Sequence, residues 1–136
     1  MQDLLNNPAV QGGFAPFVVA LLAPDALAHH NMTALFDFND RVTLTGALTQ
    51  VDWRNPHMYL TIEVHGAAGA NESWQAEGPS PTWFRIRDIG KADFEGSMGK
   101  MLTVELSRAR DKSRSGLIRT ITMPGGRVVS ACPQNC

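Results

Sequence analysis

The chain is expected to be mainly β: a small OB-like Greek-key barrel of five to six strands with one short helix, an expectation that rests on three observations. Apolar residues recur at every second position in about six separate stretches, the period of a strand with one buried face. The first of these stretches is long and changes phase partway, which calls for a bend. One proline-initiated helical segment falls between the third and fourth strands, and no strand–helix–strand spacing demands a parallel sheet. A plain sandwich is the competing architecture.

In "RVTLTGALTQVDW", Val42, Leu44, Gly46 and Leu48 share one face, after which Val51 and Trp53 continue in the opposite phase, so a bulge or sharp bend is expected at residues 49 to 51. Arg54-Asn55-Pro56 forms a turn, because the residue before a proline is steered away from helix. "HMYLTIEV" then turns Met58, Leu60, Ile62 and Val64 inward and His57, Tyr59, Thr61 and Glu63 outward or into a cleft. After the small-residue loop "GAAGANE", the strand "SWQAEG" sets Trp74 and Ala76 opposite Gln75 and Glu77. Ser80-Pro81 supplies an N-cap and a first-turn proline, predicting one helix that ends at Gly90. Residues 91 to 100, with Gly96 and Gly99, read as a turn-rich approach to "KMLTVELSRA", whose core face is Leu102, Val104 and Leu106. "GLIRTITM", the turn at Pro124-Gly125-Gly126 and "RVVSA" complete the strands.

A length of 136 residues, with 43% apolar and 18% charged residues, fits a single core. Residues 14 to 28, "FAPFVVALLAPDALA", have the short apolar run and Ala26-Leu27-Ala28 ending of an export signal, too short for a comfortable membrane span. The preceding residues carry Asp3 and no Lys or Arg, so a retained amphipathic arm is the alternative. The expected divisions are an export segment at 1–28, an N-terminal arm at 29–40, the barrel at 41–131 and a Cys-containing tail at 132–136. Removing residues 1 to 28 would leave twelve basic against eleven acidic side chains, about +1, which gives no electrostatic case for nucleic acid or an anionic membrane. The densest basic run, Arg108, Arg110, Lys112 and Arg114, alternates beside turn residues and reads as a solvated hairpin end. Cys132 and Cys136 suit a small disulfide loop or free thiols better than zinc, because no second cysteine pair exists.

The segment "AHHNMTALFDFNDRVTLTGALTQVDWRNPHMYLTIEV", with "WQAEG" and "GLIRTITMPGGRVV", resembles an uncharacterised family of small secreted bacterial proteins, a domain of unknown function. Its marks are an Ala-His-His start after a signal peptide, a Trp-x-Asn-Pro-His turn and a Trp-x-x-Glu strand. The resemblance spans nearly all of residues 28 to 130 and implies an OB-like fold and a periplasmic or secreted location. It implies no activity, and "CPQNC" lies outside it.

Cleavage after Ala28 would expose the amine and imidazole of His29 on one residue, a bidentate donor for copper and, less well, zinc. His30 or His57 would supply a second imidazole, and Glu77 or Asp37 an oxygen. Against this stand plainer roles: His29 and His30 as exposed terminal residues, His57 as a turn partner, and Glu77 as an acceptor for strand-end N–H groups. The leading expectation is an exported metal-binding accessory protein. The alternative is a periplasmic module whose face, including Tyr59, Trp74 and Trp83, meets a small ligand or an envelope protein without metal. No Ser-His-Asp order, HExxH or P-loop occurs, so no residue is assigned as catalytic and an oxidative copper enzyme is the least supported reading.

Overall fold

Residues 32–131 are described by the computed structural model. A single helical turn, α1 (Met32–Leu35), leads into a 17-residue strand, β1 (Phe36–Asp52). Then come β2 (Tyr59–His65), β3 (Asn71–Glu77), α2 (Pro81–Arg85), α3 (Lys91–Glu95), β4 (Met101–Ala109), β5 (Ser115–Thr122) and β6 (Val128–Ser130). The sheet order is β3-β2-β1-β4-β5-β6, and a parallel pairing of β3 with β5 closes the first five strands into a ring. All other pairings are antiparallel. The mainly β, OB-like expectation with six strands therefore holds.

The length of β1 makes the ring possible, since its first half pairs with β4 and its last residues pair with β2. It begins at Phe36, inside the stretch read from sequence as an arm. The expected bulge falls at Thr49: Leu48 faces Ile62 while Gln50 faces Thr61, and the Thr49 hydroxyl donates to the Thr61 carbonyl at 3.2 Å. One unpaired residue reverses the alternation, so Leu44 and Leu48 point into the core before it while Val51 and Trp53 pack against the core after it. Gly46 stands where β2 approaches β1 tightly; a Cβ there would lie 2.3 Å from the Glu63 carbonyl oxygen.

A second register shift leaves Arg119 unpaired on β5, between Thr120 opposite Glu105 and Ile118 opposite Leu106. Its side chain is buried and donates to the Ser107 hydroxyl at 3.1 Å, with the Glu105 carboxylate 3.7 Å away. Arg119 and Ser107 thus satisfy one another, as burial requires.

The helical segment caps the end of the ring where β1 finishes and β4 starts. Ser80 and Pro81 open α2 as predicted, the Ser80 hydroxyl accepting from the Trp83 N–H at 3.4 Å. The helix expected to run to Gly90 is regular only to Arg85, and a second helix, α3, follows in the stretch read from sequence as turns. Asp88 adopts a left-handed φ of 56° that ends the first, and the Gly90 N–H donates to the Asp93 carboxylate at 2.7 Å to begin the second. The reason for the second turn is Phe94, fully buried with its ring centroid 5.5 Å from those of both Phe84 and Trp53. Glycines at 96 and 99 hid this helix from a reading based on turn formers.

At the opposite end, the basic run forms the end of β4 and the β4–β5 turn, and its residues from Arg110 onward are matched by acids. Arg110 pairs with Asp37 (3.6 Å), Lys112 with Asp40 (2.6 Å) and Arg114 with Glu72 (3.2 Å). Lys112 beside Asp40 holds that carboxyl below its ordinary value. These exposed pairs pin the hairpin to β1 and β3 and neutralise it. Among the described residues, no helix is long and apolar enough to cross a membrane.

Candidate functional site: a histidine–carboxylate–tyrosine cluster on the outer face of the ring

Strand alternation points Met58, Leu60 and Ile62 into the core, all of them fully buried, so Tyr59 projects from the outer face. Register then builds a row across three strands, with Asp52 of β1 opposite Tyr59 of β2 and Tyr59 opposite Glu77 of β3. The β2–β3 ladder continues past the strand ends, because the Gly78 N–H donates to the Met58 carbonyl at 2.8 Å and the Met58 N–H to the Pro79 carbonyl at 3.2 Å. His57, two residues before Tyr59 and directly after the turn at Asn55-Pro56, is thereby held on the same side as Glu77. Gly78 allows the close approach, since a Cβ there would lie 2.8 Å from the Met58 sulfur.

His57 Nδ1 and Glu77 Oε1 are 2.5 Å apart, with the two side chains only 20% and 16% exposed. A carboxylate can only accept, so the imidazole donates from Nδ1, and in the neutral ring the lone pair is then on Nε2. The Tyr59 hydroxyl lies against the same Glu77. Burial, followed by the charge of Glu77, pushes the phenol above its ordinary value of 10.0, and the nearby Arg54 opposes the shift. The Arg54 guanidinium sits 5.5 Å from the Tyr59 ring centroid and bonds to Asp52 at 3.0 Å. The cluster is therefore an imidazole oriented by a carboxylate, flanked by a neutral phenol and one paired cation.

Of the residues singled out from sequence, His57, Glu77 and Tyr59 meet. Trp74 does not join them; it points into the core at 7% exposure, where its indole N–H donates to Glu72 at 3.4 Å. Trp83 belongs to α2, packed partly against the core with the Arg87 guanidinium 3.4 Å from its ring centroid. Tyr59, Trp74 and Trp83 therefore do not form one face. Asp37 lies at the far end of β1, paired with Arg110, and does not reach His57. His65 is exposed at the end of β2. His29, His30, Cys132 and Cys136 lie outside the described residues, and among the described residues no three His, Cys, Asp or Glu side chains converge as a metal cluster. Sequence reasoning missed the parts played by Asp52 and Arg54. Asp52 has the right strand parity, but only the register puts it beside Tyr59.

The model of a family of unknown function (DUF6152) matches residues 18–128. Among curated proteins and among solved structures, nothing matches the chain.

Proposed function

The chain belongs to that family of unknown function, and from the geometry on its outer face we propose that it is a small exported accessory protein that binds a metal ion, copper in preference to zinc. The observation that carries this reading is the His57–Glu77 pair at 2.5 Å. Histidines that ligate metals nearly always give their other ring N–H to a carboxylate, carbonyl or water, which fixes the tautomer and raises the basicity of the coordinating nitrogen. In this reading Glu77 is the orienting partner of His57 rather than a ligand. The remaining donors are the amine and imidazole of His29, created by removal of residues 1 to 28, with His30 beside them. Neutral imidazole and amine nitrogens suit copper, and the absence of paired thiolates from this set disfavours a structural zinc site.

The test is calorimetric titration of protein beginning at His29 with Cu(II) and with Zn(II). One equivalent of Cu(II) is expected, bound more tightly than Zn(II). Adding one residue before His29 and, separately, His57→Ala should each weaken it at least about tenfold. Copper binding indifferent to both changes would overturn the proposal.

A further inference from the structure

Away from His57, an open cleft of about 220 Å³ separates the α2–α3 cap from the β5–β6 turn. Its floor is apolar: Ile89 and Val129 are buried, and Met123 packs against the core. Lys100 and Arg127 stand at its edge. The Arg127 guanidinium is held there by the carbonyls of Arg87 at 3.2 Å and Asp88 at 3.4 Å, bonds that position the cation without cancelling its charge. The lining carboxylate, Asp93, accepts from the Gly90 N–H at 2.7 Å and keeps its charge, so the two cations outnumber it in the lining.

The charge pattern over the rest of the barrel sharpens this. Among the described residues, the cations with no carboxylate within 4.0 Å are Arg85, Arg87, Lys100, Arg108 and Arg127. All but Arg108 lie at the helix-capped end, whereas the cations of the β4–β5 turn are matched by acids. An apolar floor beneath two such cations suits a molecule with a hydrophobic body and one negative end. The volume is below the roughly 300–1,000 Å³ of sites for drug-sized ligands, which restricts the occupant to a ring or a short carbon chain. We propose that this cleft binds a small amphiphilic carboxylic acid, with the carboxylate on Lys100 and Arg127 and the apolar body on Ile89, Met123 and Val129.

The experiment is a titration of ¹⁵N-labelled protein with benzoate and, separately, with benzyl alcohol, which has a similar shape and no charge. Saturable shifts with benzoate are expected at the amides of Ile89, Lys100, Gly125 and Val129, and benzyl alcohol should bind about tenfold more weakly. Lys100→Gln, a change at an exposed side chain, should weaken benzoate by a similar factor while leaving distant amides unmoved. Three results would overturn the proposal: no saturable shift at those amides through the millimolar range, equal responses to the two probes, or a Lys100→Gln variant that binds benzoate as before.

Discussion

Glu77 accepts a hydrogen bond from His57 at 2.5 Å and at the same time stands directly opposite Tyr59 in the β2–β3 register. One carboxylate thus orients an imidazole and adds to the burial that raises the phenol's pKa. Both effects can be read out separately.

For the imidazole, Glu77→Gln keeps the shape of the side chain but replaces a charged acceptor with a neutral one. Cu(II) affinity measured by calorimetry should fall about 10–100-fold, the usual cost of losing a partner that orients a ligand. Undiminished affinity would show that Glu77 does not act through His57.

For the phenol, the chain contains a single tyrosine, so absorbance at high pH reports Tyr59 alone. Its midpoint in the folded protein should lie above 10.0 and move back toward that value in Glu77→Gln. A folded pKa above the unfolded one gives stability that is fully present below pH 10 and is lost as pH rises through the folded value. Denaturation curves across that window should therefore show falling stability, with a gentler slope in the variant.

Two glycines, Gly46 on β1 and Gly78 beside the site, separate a backbone clash from a side-chain one. Gly46→Ala drives a Cβ into the Glu63 carbonyl, with 2.3 Å to its oxygen and 2.9 Å to its carbon, and should cost about 3 kcal/mol in urea denaturation. Gly78→Ala meets the flexible Met58 thioether at 2.8 Å and should cost less than about 1.5 kcal/mol. Equal losses would mean that the β1–β2 approach at Gly46 is not the tighter one.

The cap depends on Phe94, which is fully buried against Phe84 and Trp53. Phe94→Ala should cost about 3–5 kcal/mol and change the near-UV signal of the aromatic cluster. A loss under about 1 kcal/mol would show that the cap is not part of the core.

Much of this architecture was legible residue by residue. The reversal of phase between Leu48 and Val51 marked the Thr49 bulge, and Ser80-Pro81 marked the start of α2, because both are local signals. The division of the helical segment was not legible: Asp88 in a left-handed conformation and the Asp93 bond to Gly90 are outcomes of burying Phe94. Arg119 was equally hidden. In an alternating strand it reads as solvent-facing, yet the shift between Glu105 and Leu106 buries it against Ser107.

Away from bulges such as that at Arg119, the sequence by itself determined which strand residues enter the core, because successive side chains point to opposite faces whatever the strand's neighbours are. It therefore put His57, Tyr59 and Glu77 on outward positions before any strand was paired. Only the tertiary structure decided that these three meet and that Asp37 stays at the far end of β1. The meeting of residues twenty positions apart is a matter of register, and register is set by which strands pack together and where their bulges fall, not by either strand alone.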